Sequence, residues 1–163
     1  MDKYTSPLTH RYASDEMNFL FSNTFKYTLW RKLWLALAEN EKALGLNITE
    51  EQLAELRAHV NDIDFDNVHK HEKRLRHDVM AHIHAYGDCC PTARGIIHLG
   101  ATSCYVTDNS DLIQIREAMT LLFAKLIELL KLLETKASKH ASLPCLAWTH
   151  LQPAQPTTVG KRF

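Results

Sequence analysis

Between Leu112 and Leu133 an apolar residue recurs at alternating spacings of three and four: Leu112, Ile115, Met119, Leu122, Leu126, Leu129 and Leu133. That period belongs to a helix, here predicted from about Asp108 to about Ser138. Ile113, Leu121, Phe123, Ile127, Leu130 and Leu132 widen the apolar face until only a narrow polar stripe remains. A helix apolar around most of its circumference belongs inside a bundle. The shorter helices expected elsewhere cannot cover it, so the pattern asks for helices beyond this chain or for other subunits. Arg116, Glu117, Lys125, Glu128 and Lys131 lie in the same stretch, and so many charges exclude a membrane span.

The 163 residues suit one domain in length, and 19 basic side chains balance 19 acidic ones. With no net charge there is no basic footprint for nucleic acid or an anionic membrane. The opening MDKYTSPLTHRY has no apolar core behind its lysine and does not read as a signal peptide. Cys89, Cys90, Cys104 and Cys145 include no CxxC pair, and the adjacent Cys89 and Cys90 suit a zinc clamp poorly. They read as free thiols in a reducing cytoplasm.

Ahead of the long helix, residues 1–14 read as an irregular polar arm containing Arg11-Tyr12. Ser14 can cap a short helix whose first turn holds Asp15 and Glu16. A longer helix is expected from about Asn23 to Leu44, with Tyr27, Trp30, Trp34 and Leu37 on one face and Gly45 as its stop. Thr49 and Gln52 form a capping box. Asp64 or Asp66 opens another run, expected to continue to Tyr86 with Gly87 behind it. From Cys90 to Ser110 neither a helical nor a strand period is present, and a loop of such length inside a compact domain is usually functional. The stretch after Pro144 reads as a turn and crossing segment, and the ending falls where another helix is expected to begin, so the chain reads as incomplete.

No GxSxG, Walker or dinucleotide fingerprint is present. His69/His71 and His82/His84 are spaced by two and His77/His82 by five, so none has the i, i+4 geometry of a helical metal pair. Three segments have the residue types of a site. Arg76-His77-Asp78 sets a guanidinium, an imidazole and a carboxylate in a row, equally the composition of a solvated face. Gly100-Ala101-Thr102-Ser103 precedes a helix whose free amides can hold a carboxylate or phosphate, and by residue type it is equally a capping loop. Thr149-His150-Leu151-Gln152-Pro153 places a histidine, the residue type whose unperturbed pKa lies nearest neutrality, in a Pro-flanked, amide-rich loop as a candidate general acid or base.

Together the three segments are specific. THLQPAQPTTVGKR, from Thr149 to Arg162, resembles the histidine motif of the fumarase/aspartase superfamily. KRLRHDVMAHIHAYG and GIIHLGATSCYVTDNSD narrow the resemblance to the branch that cleaves adenylosuccinate. It runs from about Ser6 to the last residue. The resemblance implies an all-α fold: an N-terminal helical domain over residues 1–111, then, over 112–163, the start of a long central helical bundle, here truncated. It implies a cytoplasmic homotetramer in full-length form, needing no metal and no organic cofactor. Its substrates would be adenylosuccinate, split to AMP and fumarate, and the succinylaminoimidazole carboxamide ribotide, with neither nucleic acid nor membrane as partner.

Carried over by motif, His150 would be the general acid that protonates the leaving nitrogen, with Thr149 helping to hold the succinyl part. Thr102 and Ser103 would bind the carboxylate region, Arg76, His77 and Asp78 would line the nucleotide side, and Arg11 and Tyr12 would contact the phosphate. The family's serine loop, which supplies the carbon-proton base, would lie beyond Phe163, leaving this chain inactive alone. Ala147-Trp148 stands where many superfamily members have Gly-Arg. Two other readings stand beside this one. One is a non-catalytic truncated helical module that assembles with full-length subunits, which the heptad helix permits. The other is a sister lyase acting on argininosuccinate or fumarate, against which Arg76-His77-Asp78 and GATSCYV argue.

Overall fold

Caps written into the sequence start and stop the first helices of the computed structural model, which describes residues 4–163. The opening part of the N-terminal arm, Met1, Asp2 and Lys3, lies outside the described residues. A π-helical turn at Leu8–Tyr12 precedes α1 (Asp15–Leu20), whose Ser14 hydroxyl accepts from Met17 N. Helix α2 (Asn23–Ala43) closes in a Schellman motif: Gly45, at φ +97°, donates to Lys42 O, and Leu46 N donates to Glu41 O. Helix α3 (Glu50–Ala58) opens on the Thr49/Gln52 capping box.

The single helix expected from Asp64 to Tyr86 is two. Helix α4 (Phe65–Leu75) ends at Arg76, whose φ of 54° and ψ of 35° are left-handed. Helix α5 (Asp78–Cys89) then starts on His77, an unusual N-cap whose ring nitrogen accepts from Met80 N. Gly87 is therefore inside a helix and not behind one. It is there for close packing: a Cβ on it would sit 2.9 Å from Arg94 Cγ.

Helix α6 (Ser103–Lys139) begins five residues earlier than the apolar period indicated. Its buried residues are Val106, Ser110, Gln114 and Ala118, one stripe at every fourth position, and two of the four are polar. Leu112, Ile115, Met119, Leu122, Leu126 and Leu129, the apolar repeat itself, are exposed.

The chain divides into two compact units, one ending at Ala118 and the other Met119–Phe163. In the first, Trp30 and Trp34 of α2 pack with Leu56 of α3, Val79 and Tyr86 of α5 and Val106 of α6. Buried polar groups are tied over long chain distances: Trp30 Nε1 donates to Ser110 Oγ at 2.9 Å, Tyr105 Oη to Leu33 O at 2.9 Å, and Gln114 Nε2 to Leu20 O at 2.6 Å. Arg31, 2% exposed, donates to the carbonyls of His59 and Asp62 and lies 4.3 Å over the Tyr86 ring.

The second unit departs from the all-α expectation by one hairpin. Strands β1 (Pro144–Thr149) and β2 (Gln152–Thr158) pair antiparallel where a crossing segment was expected, and a short 3-10 turn, Gly160–Arg162, stands where a new helix was expected to begin. Gly160 N donates to His140 O and Val159 N to Leu143 O, drawing the turn onto the end of α6. A Cβ on Gly160 would come within 2.7 Å of Ala141 Cα. Among the described residues no helix is long and apolar enough to cross a membrane.

Candidate functional site

The break between α4 and α5 makes a corner, and the corner makes a pocket. Because Arg76 takes the left-handed conformation, the chain reverses at once, and Arg76, His77 and Asp78 come to line an open pocket of about 1020 Å³ together with His69, Glu72 and Lys73. A left-handed non-glycine residue costs energy that the surrounding fold must supply, and such residues gather at functional sites.

The pocket offers positive charge. Neither Lys73 nor Arg76 has an ion-pair partner among the described residues, and the pocket opens at the amide-rich start of α5. Asp78 is turned partly inward on the chain, its Oδ1 accepting from Val79 N at 2.8 Å and lying 3.5 Å from His77 Nδ1. His77 Nδ1 accepts from Met80 N at 3.4 Å, which leaves Nε2 as the ring nitrogen available to a ligand. Unpaired cations, a free ring nitrogen and a helix start suit a phosphorylated or carboxylated ligand.

A smaller cavity of about 200 Å³ shares His69, Glu72 and Asp78 with this pocket and is closed by Asn23, Tyr27, Phe65, Val68 and His82. His82 stacks on Tyr27 at 3.8 Å between centroids. Burial, helped by the nearby Arg31 charge, pushes its pKa down to about 4, so it is neutral.

Two histidine placements carry no local sequence signal. The spacing of His82 from His77 and His84 assigns it no place. His98, in GIIHLG, takes φ +67° and accepts from Trp34 Nε1 at 2.9 Å. Burial holds His98 below the usual histidine pKa, and the field of His77 adds to the effect. No local pattern signals that contact, since Trp34 is 64 positions away.

The other predicted site residues stand elsewhere in the chain. Thr102 and Ser103 open α6, and Thr102 Oγ1 accepts from Cys104 N at 3.4 Å, so the hydroxyl is a cap as well as a candidate ligand. Neither is among the residues lining the Arg76 pocket. Arg11 and Tyr12 lie exposed on the π-helical turn, the guanidinium 5.8 Å over the tyrosine ring. Thr149 and His150 belong to the second unit. His150 and Leu151, at φ 51° and 62°, are the two central residues of the β1–β2 hairpin. Positive φ at both positions is what a tight hairpin turn demands, and Asn-Gly usually provides it. A histidine held there is exposed and strained, the setting in which a functional constraint outweighs local preference.

A family profile described as lyase matches residues 30–163. The adenylosuccinate lyase of Schizosaccharomyces pombe is 54% identical over 162 residues, covering 98% of this chain and 34% of the relative. That of Saccharomyces cerevisiae is 52% identical over 165 residues, covering 99% of this chain and 34% of the relative. Among solved structures, 3-carboxy-cis,cis-muconate lactonizing enzyme from Pseudomonas putida superposes with a TM-score of 0.84 at 27% identity, over 95% of this chain and 36% of that one. The chain thus spans about a third of the length of the curated relatives it matches.

Proposed function

The chain belongs to the lyase family, and from that membership we propose that it is the N-terminal portion of an adenylosuccinate lyase. The reaction would be β-elimination of fumarate from adenylosuccinate, giving AMP, and likewise from the succinylaminoimidazole carboxamide ribotide. The observation that carries this reading is identity above one half to two adenylosuccinate lyases over nearly the whole chain. The pocket at the α4–α5 corner supports it, because its unpaired Lys73 and Arg76 suit a nucleotide bearing phosphate and carboxylates.

In this mechanism the proton on the carbon beside the succinyl carboxylate is removed first. The electron pair left behind spreads into that carboxylate, and fixed donors must hold the added charge. Thr102, Ser103 and the free amides at the start of α6 are suited to that task. The pair then forms the new carbon–carbon double bond while the carbon–nitrogen bond breaks. The nitrogen keeps the bonding electrons and takes a proton from His150, with Thr149 holding the succinyl group. Arg76, His77 and Asp78 would line the nucleotide side, with Arg11 and Tyr12 at the phosphate. No metal or organic cofactor has a step in this scheme.

The resemblance puts the proton-abstracting serine loop outside these residues, so the 163-residue chain is proposed to be inactive alone, the activity belonging to a full-length cytoplasmic homotetramer. Residues 1–111 would form the site-bearing domain and 112–163 the start of the bundle. The test is turnover in the assembled enzyme. His150→Ala should lower kcat by about 10²- to 10⁴-fold, the usual contribution of a general acid, with a much smaller change in KM. Unchanged turnover would remove His150 from the mechanism, and an assembled protein that leaves adenylosuccinate intact would refute the lyase reading.

A further inference from the structure

The contact between Trp34 and His98 has a chemical consequence that packing alone does not require. Trp34 is 1% exposed and sits edge-on to Trp30, with Tyr86 tilted beside it. Any large aromatic ring could fill that space, whereas a buried indole N–H must also find an acceptor. The acceptor here is His98 Nδ1, at 2.9 Å and with the ring planes 88° apart.

An indole nitrogen only donates, so His98 Nδ1 must hold a lone pair. The ring proton is then on Nε2, and the charged imidazolium is disfavoured because it would set N–H against N–H. The backbone of His98 is left-handed at φ +67°, a conformation a non-glycine residue keeps only where its surroundings over-determine it. His98 lies in the turn segment that leads to Thr102 and Ser103 at the start of α6.

We propose that Trp34 is a positioning residue: its indole N–H fixes His98 in the Nε2–H tautomer, so that a neutral donor of one direction stands in the loop that leads to Thr102 and Ser103. This rests on the lyase reading for its effect on catalysis, but not for the tautomer itself. Trp34 touches no substrate and acts only through His98.

A double-mutant cycle in the assembled enzyme tests it. Trp34→Phe should raise KM for adenylosuccinate by roughly 3- to 10-fold, the worth of one neutral hydrogen bond, and change kcat by less than about 2-fold. In a His98→Asn background the same substitution should change KM no further, because the residue it acts through is gone. An equal KM effect in both backgrounds would make Trp34 merely structural and overturn the proposal. Should Trp34→Phe fail to fold, benzothienylalanine at that position keeps the bicyclic shape and removes only the N–H, with the same expectations.

Long-range nitrogen–proton spectra of the selectively labelled histidine rings in the assembled enzyme give the second readout. His98 should show a single Nε2–H tautomer in the parent enzyme and a mixture once the indole N–H is removed. The same single tautomer in both would overturn the proposal. If the assembled enzyme has no lyase turnover, the functional reading fails by itself, and these spectra still decide whether Trp34 sets the tautomer.

Discussion

His82 is an imidazole that folding keeps uncharged. It is 4% exposed, and burial together with the Arg31 charge lowers its pKa from 6.5 to about 4, against a weaker opposing pull from Asp78. The unfolded chain therefore binds this proton more readily than the folded one. Its contribution is fully present above pH 6.5 and is lost as the pH falls from there to about 4. Between pH 7 and pH 5 the loss from this one ring is on the order of 2 kcal/mol. Urea unfolding at the two pH values should show it, and His82→Gln should remove most of it. A pH dependence that survives the substitution unchanged would mean that the ring is not buried neutral. Little of this is legible in sequence. Two histidines spaced by two give no hint that one stacks on Tyr27 at 3.8 Å. Arg76-His77-Asp78 was readable as a charged triplet. The corner it makes was not, because its N-cap is a histidine and its left-handed residue an arginine, both outside the usual local signals.

The elements that were readable are those with chemically ordinary ends. Ser14, Thr49 with Gln52, and Gly45 each satisfy helix-end groups by local rules, and α1, α2 and α3 begin and stop accordingly. The first turns of α6 were hidden because Ser103, Cys104, Tyr105, Val106 and Thr107 have weak helix propensity, and long-range contacts such as Tyr105 Oη to Leu33 O hold them instead. The hairpin was hidden for a related reason. Strand β2 carries Pro153 and Pro156, and the turn between the strands is His150-Leu151 rather than Asn-Gly. Gly160 offers a test at this scale. Adding a methyl there forces it against the backbone of Ala137 and Ala141, so Gly160→Ala should destabilise the second unit by about 1–3 kcal/mol, as overpacking does. Hydrogen exchange should show the amides of residues 159 and 160 losing protection, since those are the groups bonded to Leu143 O and His140 O. Protection equal to that of the parent chain would mean that the 3-10 turn is not docked as described.

At the scale of the whole molecule, the apolar repeat of α6 has no cover among the described residues. Leu122, Phe123, Leu126, Leu129, Leu130 and Leu132 are each about half exposed or more. Each such side chain contributes roughly 1.5–3 kcal/mol when buried. The 163-residue chain should therefore form soluble oligomers or aggregates in light scattering, and a monodisperse monomer would count against the bundle assignment. The stripe that the chain does bury on α6 also sets a clock for its synthesis. Trp30 Nε1 finds its acceptor on Ser110, 80 positions later. At about 5–20 residues per second, a ribosome needs roughly 4–16 s to translate the interval between them. Throughout that time α2 has emerged, or is emerging, with its tryptophan ring lacking the helix that covers it. The α4–α5 pair, neighbours in sequence, can close first. The core of the first unit is thus completed late, and the nascent chain is most open to chaperones or to premature association in the seconds before α6 arrives.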